Sequence, residues 1–214
     1  MVVSLLFFSK QIRFGYISNV IFLFIILIFQ GCNPEKKSPP ESDSPVLLDY
    51  GPKYGGDFVL IDHNEEQFDL LSYRGDVVLI FFGYTYCPDA CPLMLSKLAA
   101  VYDDLLNINA GGNVRTLYIT VDPLRDTPKQ LKLYLEYFSS LEVLGLTGSR
   151  EEIDDVVEKY GVFYKFQEAN QNGHYLVAHT TSLFLVDREG RLRYRFHPTD
   201  KPEYITAGIH QLFC

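Results

Sequence analysis

The sequence predicts an α/β fold: a sheet of mixed direction flanked by helices, with an antiparallel hairpin near its end. Three observations predict it. Val77 to Phe82 is an unbroken apolar run, the pattern of a strand buried on both faces. Stretches with apolar residues at helical spacing alternate with such runs. Late in the chain, Thr181 to Val186 and Arg191 to Phe196 flank Asp187-Arg188-Glu189-Gly190, a four-residue hairpin connection. Strand–helix alternation makes parallel neighbours, and the hairpin adds antiparallel ones.

The elements follow in order. Residues 1–32 carry Lys10 and Arg13, no acid, and an apolar run from Val20 to Phe29 that leads to Gly31-Cys32. A basic start, a short apolar stretch and a small residue before cysteine are the grammar of an export signal. Two forms fit: a lipoprotein signal with Cys32 acylated as the new N-terminus, or an uncleaved anchor helix. Either tethers the rest on the extracytoplasmic (periplasmic) side of a membrane. Residues 33–50 read as a flexible linker, because Asn33 to Pro45 is rich in proline, serine and charge and cannot bury a core. Residues 51–214 are then the globular domain.

Within it, Phe58 to Ile61 reads as a short strand, followed by Val77 to Phe82. Leu95, Leu98, Ala99, Tyr102, Leu105 and Leu106 are spaced for one face of a helix. Val114 to Val121 is the next strand. Thr127-Pro128 opens a helix, with threonine as cap and proline at the first position; Leu131, Leu135 and Phe138 form its stripe. Leu141 to Leu146 is a buried strand. Ser149 with Glu152 makes a capping box, and Gly161 ends that helix. Asn172-Gly173 marks a turn, the hairpin follows, and Pro202 to Phe213 is a terminal helix.

Composition bounds the function. The 214 residues are 47% apolar with four cysteines and a net charge of −8. That excludes wholesale disorder and a disulfide scaffold. The acidic balance, with no basic run, argues against nucleic acid as a partner.

The chemistry centres on Cys87 and Cys91, where a buried strand gives way to a helix. A sheet of this kind places its site at the carboxyl ends of its strands. On a helix, residues four apart share a face at about 6 Å; with Pro92 starting the regular helix, Cys87 to Cys91 would instead be a tight turn. Both keep the sulfurs close. A helix N-terminus favours thiolate, the form that attacks disulfides or binds metal. Three readings stand: an inert structural bridge, a dithiol oxidoreductase, and a metal site needing a third ligand. Among the histidines, His63 and His174 sit in polar turns and read as solvated, and His197 and His210 read as ordinary. His179 directly precedes the strand at 181–186 and follows a polar, flexible segment, Gln167 to His174. It reaches the strand ends if the fold brings them together. Two sulfurs and an imidazole suit Cu(I). Structural zinc takes four ligands, and magnesium or calcium want oxygens.

Several motifs share one resemblance: Gly55-Gly56-Asp57-Phe58, the block Phe82-Gly83-Tyr84-Thr85-Tyr86-Cys87-Pro88-Asp89-Ala90-Cys91-Pro92, Asp122-Pro123-Leu124-Arg125-Asp126-Thr127-Pro128, Gly145-Leu146-Thr147-Gly148, and Val177-Ala178-His179-Thr180. From Tyr54 to the last helix the chain resembles the Sco/SenC family of membrane-tethered copper proteins that assist assembly of cytochrome c oxidase. The resemblance implies a thioredoxin-like fold and copper on Cys87, Cys91 and His179, held as Cu(I) with Cu(II) as a second state. It implies delivery to the CuA centre of oxidase subunit II, or reduction of that subunit's cysteines. Further partners would be other copper carriers or thiol reductants. The family usually has aspartate before the histidine; here it is Ala178, a loss expected to weaken Cu(II) more than Cu(I). Asp89 keeps the usual acid between the cysteines and also suits a helix start. Asp122, Arg125 and Asp126 are expected to shape a turn and cap the next helix, with Arg125 also suited to an acidic partner.

Two functions of different class follow. A metallochaperone binds Cu(I) without turnover and releases it by ligand exchange. A thiol–disulfide oxidoreductase uses Cys87 to attack and Cys91 to resolve. A peroxidase on the same fold needs an activated lone cysteine, for which no constellation is present. Cys214 reads as a bystander.

Overall fold

In the computed structural model, residues 53–107 and 113–213 are described. The export or anchor segment 1–32, Cys32, the linker 33–50 and Cys214 lie outside the described residues. Among the described residues, no helix is long and apolar enough to cross a membrane.

The strands are β1 (Val59–Asp62), β2 (Gln67–Asp69), β3 (Val77–Gly83), β4 (Val114–Thr120), β5 (Val143–Thr147), β6 (Tyr164–Phe166), β7 (Val177–His179), β8 (Leu183–Val186) and β9 (Leu192–Phe196). The helices are α1 (Ala90–Asn107), α2 (Pro128–Glu136), α3 (Arg150–Lys159) and α4 (Pro202–Gln211). Seven strands form one sheet in the order β2-β1-β5-β4-β3-β8-β9. β3, β4 and β5 run parallel. β8 is antiparallel to both β3 and β9, and β1 to both β5 and β2. This mixed sheet with its late hairpin is the thioredoxin-like fold that the resemblance implies.

β3 lies inside the sheet between β4 and β8, and its apolar residues on both faces are all buried. Phe82 turns to Tyr160 and Phe184 on one face. Phe81 pairs with Tyr118 of β4 on the other, where Tyr134 of α2 backs them. Local signals set the helix starts. The Thr127 hydroxyl accepts from the Gln130 N–H, with proline in the first turn of α2. Ser149 and Glu152 form a reciprocal capping box on α3. Gly161 follows α3 at φ 60°, a left-handed turn that glycine enters without strain.

Four details differ from the sequence reading. β2 and the 3-10 turn at Leu70–Tyr73 carry no recognisable periodicity at their length. Leu106 was expected on the buried face of α1 but is 69% exposed, because its neighbour Leu105, fully buried, takes that face in the last turn. The strand expected from Thr181 begins at Leu183. Most consequentially, His179 does not lead into that strand. It ends β7, which pairs with β6 as a separate two-stranded antiparallel sheet. The segment between β6 and β7 is closed by paired backbone bonds, Gln167 N–H to the Leu176 carbonyl and Asn170 N–H to the His174 carbonyl.

Candidate metal centre

β3 and β4 both end at the same edge of the sheet, and the chain after each builds the site. After β3, the Cys87 N–H bonds to the Tyr84 carbonyl in a tight turn, and the Leu93 N–H bonds to the Asp89 carbonyl as α1 begins. Cys91 therefore lies in the first helical turn and Cys87 just before it. Pro92 sits where its missing N–H removes no helical bond. Asp89 directly precedes α1 and is exposed.

The loop is held from the second strand end. Asp126 is fully buried. Its carboxylate accepts from the Thr85 N–H at 2.9 Å, the Thr85 hydroxyl at 2.6 Å and the Thr120 hydroxyl at 2.7 Å. Burial pushes its carboxyl up, against those bonds. Asp126 was expected to cap the next helix; Thr127 does that, and Asp126 instead ties the cysteine loop to the end of β4. Asp122, also fully buried, pairs with Arg125 and accepts from the Tyr175 hydroxyl at 3.1 Å. Arg125 donates to the Tyr175 carbonyl at 3.0 Å and stacks 3.6 Å from that ring. This pair tethers the segment that leads to His179.

The backbone N–H of Val177 donates to the Tyr84 hydroxyl at 3.3 Å, and the Tyr84 and His179 rings meet edge-on at 5.6 Å. Tyr84 thus acts as a floor for the histidine strand. The result brings Cys87, Cys91 and His179 together: one donor atom from each lies within 4.8 Å of the others. Both cysteines are free thiols, Cys91 fully buried and Cys87 9% exposed.

The histidine's orientation follows from its neighbours. Its Nδ1 lies 2.9 Å from the Thr180 carbonyl oxygen, which only accepts, so Nδ1 carries the proton. Nε2 then offers its lone pair 3.7 Å from Cys91 Sγ. A hydrogen bond that fixes the second ring nitrogen is the usual way a ligating histidine is aimed. The thiols polarise each other. The hydrogen bond from Cys91 pushes the Cys87 thiol well below the ordinary range, against burial, with the N–H groups of Cys91 and Asp89 adding to it. Donating that bond, together with burial, pushes Cys91 up. In the metal-free pair the proton is favoured on Cys91 over Cys87. Two soft sulfurs and one imidazole nitrogen suit a soft monovalent ion.

The remaining histidines lie elsewhere. His174 and His197 are exposed and His210 is half-buried. His63 was expected to be solvated but is half-buried, its Nδ1 accepting from the Gly145 N–H at 3.0 Å. Ala178 is exposed and faces away from the site, since successive strand residues alternate. An aspartate there would not point at the ion, so any effect it has on copper would act through charge rather than ligation. Sequence reasoning missed Tyr84, Thr85 and Tyr175. Their roles depend on partners 41 or more residues away, although the Cys87 and Asp122 motifs lie beside them.

Comparison with known proteins bears on the same region. The family description SCO1/SenC matches residues 48–213. A SCO2-like protein of Rickettsia conorii is 36% identical over 171 residues, covering 79% of this chain and 80% of its own. The solved structure of Bradyrhizobium japonicum ScoI with copper bound has a TM-score of 0.67 at 36% identity, covering 74% of this chain and 99% of that one. BsSco, described as a member of the Sco family of cytochrome c oxidase assembly proteins with a disulfide switch, has a TM-score of 0.60 at 25% identity, covering 77% of this chain and 96% of that one. With the match running from before β1 to the end of the described chain, this protein belongs to the SCO1/SenC family.

Proposed function

We propose that this protein is a metallochaperone that carries copper as Cu(I) on Cys87, Cys91 and His179 and delivers it to the CuA centre of cytochrome c oxidase subunit II. One observation carries the reading: three soft donors converge within 4.8 Å, with the imidazole proton held away from them. The copper-bound relative and the oxidase-assembly description of another family member support it. Copper enters as cargo. Cys87 offers the less buried thiol, Cys91 closes the site from beneath, and His179 completes a three-donor set that incoming thiolates can displace in turn. Before use, the N-terminal segment would tether the domain to the membrane on its extracytoplasmic side, through Cys32 as a lipid-bearing residue or through an uncleaved helix. Mass spectrometry of the membrane-extracted protein distinguishes the two.

The test is a Cu(I) titration of the reduced full chain under competition with a chelator, repeated for Cys87→Ser, Cys91→Ser and His179→Ala. One equivalent bound tightly by the natural chain and weakened in all three variants supports the reading. Weak binding, insensitive to His179, sinks it.

A second reading is favoured by the polarised dithiol and by the disulfide switch of BsSco. Here the Cys87 thiolate attacks the disulfide of subunit II and forms a mixed disulfide. The Cys91 thiolate then attacks Cys87 Sγ, releasing the subunit's second thiolate. Two electrons pass to subunit II, and Cys87–Cys91 is left oxidised until a thiol reductant restores it. Rapid reduction of a subunit II disulfide by a chain that binds copper poorly would favour this reading.

A further inference from the structure

Tyr118, in the middle of β4, is fully buried, and its hydroxyl makes no hydrogen bond of ordinary geometry among the described residues, the Cys91 thiol being the group it faces. Buried polar groups are rarely left so. A phenylalanine would fill the same place without a stranded oxygen, so it is the hydroxyl, not the ring, that needs a reason.

Its position supplies one. A Cβ added at Gly83 would stand 2.7 Å from the Tyr118 hydroxyl oxygen and 2.8 Å from Cys91 Sγ. The two atoms therefore flank one small gap, which glycine at the end of β3 keeps open. Tyr134 of α2 backs Tyr118 with ring centroids 5.8 Å apart, and its buried hydroxyl, also without a hydrogen bond of ordinary geometry, lies toward that of Tyr118. A neutral thiol is a poor acceptor, whereas a thiolate is a strong one. Metal ligation makes Cys91 a thiolate, because thiolate is the ligating form. The unpaired hydroxyl is thus matched to the loaded site.

We propose that Tyr118 is a positioning residue of the metal centre, its hydroxyl donating to the Cys91 sulfur when that sulfur ligates copper. The inference rests on the copper reading above. A donor on a ligating sulfur withdraws electron density from it. The sulfur then stabilises Cu(II), which demands more donation, less than it stabilises Cu(I). Tyr118 accordingly biases the site toward the monovalent cargo.

The test compares the full natural chain with Tyr118→Phe and Tyr134→Phe, each loaded with one equivalent of copper. It reads the Cu(II)/Cu(I) midpoint potential and the sulfur-to-Cu(II) charge-transfer band. Tyr118→Phe is expected to keep one bound Cu(I) and to lose about tenfold in preference for Cu(I) over Cu(II). That loss is a potential lower by about 59 mV for one electron, with the band moved to lower energy. Tyr134→Phe, which leaves the Tyr118 hydroxyl in place, is expected to shift both readings by less than about half as much. Natural potential and band position in Tyr118→Phe overturn the inference. Equal shifts in the two variants overturn it too, because they mark a general loosening of the core. If the natural chain itself binds no copper, the proposed function fails and this inference falls with it; the natural-chain arm separates that failure from the others.

Discussion

Cys91 lies fully buried in the first turn of α1, just past the carboxyl end of β3, and the loop leading to it is tied by Asp126 to the neighbouring strand through three hydrogen bonds. His179 lies on a three-residue strand of a two-stranded sheet outside the main one. That small sheet is held by the Tyr84 hydroxyl, by the Arg125–Tyr175 contacts and by Arg150 against Tyr164 and Phe166. A two-stranded hairpin is marginal by itself, and such satellites open at lower free energy than a core strand. The sulfur side of the site therefore shares the stability of the whole domain. The imidazole side depends on a handful of tethers. For a carrier, this division is useful. In the proposed carrier, two ligands would grip the cargo, and the third could withdraw without unfolding the grip.

The largest effect should come from the sulfurs. A four-ligand structural zinc site is worth roughly 10–16 kcal/mol, or about 3 kcal/mol per ligand, and Cu(I) draws more from thiolate than from neutral imidazole. Cys87→Ser or Cys91→Ser should weaken Cu(I) binding by about a thousandfold in chelator competition, and His179→Ala by about tenfold. Equal losses from all three would erase the distinction between grip and arm.

Next in size is the anchor of the grip. Asp126→Ala strands the Thr85 N–H and two hydroxyls in buried surroundings, each costing about 1 kcal/mol or more. Denaturant unfolding should show a loss of about 2–4 kcal/mol. Tyr175→Phe removes one hydrogen bond at a tether of the arm, worth about 1 kcal/mol to Asp122, and should lower global stability by less than Asp126→Ala. A larger loss from Tyr175→Phe would show that the histidine sheet is integral to the core.

A third measurement sharpens the contrast between the sulfurs themselves. In the metal-free reduced chain, Cys87 is the more exposed thiol and the one whose pKa is pushed down. Its pKa is depressed, so reactive thiolate is present above that lowered value and is lost only as pH falls through it. Iodoacetamide should modify Cys87 more than about tenfold faster than Cys91. Between pH 8 and 6 that rate should stay nearly flat, where an ordinary thiol loses about tenfold per unit below its pKa of about 8.5. A tenfold fall per unit at Cys87 would contradict the preference of the proton for Cys91.

What the sequence made legible follows the same division. β3, the Thr127 cap and the Ser149–Glu152 box rest on contacts within a few residues, and each is found where the pattern puts it. The cysteine loop was legible as a site because it lies at a strand end. The histidine side was not legible from local pattern. Tyr164–Phe166 is three residues long, too short for periodicity, and its pairing with β7 spans a long connection. His179 meets Cys91 across 88 residues, and only the family resemblance connected the two beforehand. Buried polar ties such as Asp126 to Thr85 leave no periodic trace, since any buried carboxylate reads as a surface charge until its partners are known.

The smallest expected effect is at Ala178, and it tests where the arm points. Ala178 is exposed and pairs across the strand with exposed Lys165, while its neighbour His179 faces the sulfurs. In Ala178→Asp, the new carboxylate would lie beside Lys165, where an exposed cross-strand ion pair is worth about 0.2–1 kcal/mol. Its effect on the ion is a charge interaction through solvent, about 0.5 kcal/mol or less per unit charge. Cu(I) affinity should therefore rise by no more than about twofold, and Cu(II), with twice the charge, by no more than about fivefold. Chelator competition for each ion at low and high salt checks this, because a solvent-borne interaction fades as salt rises and a direct oxygen ligand does not. A salt-independent gain for Cu(II) of a hundredfold would mean that the strand turns over to offer residue 178 to the metal. The arm would then have two presentations rather than one.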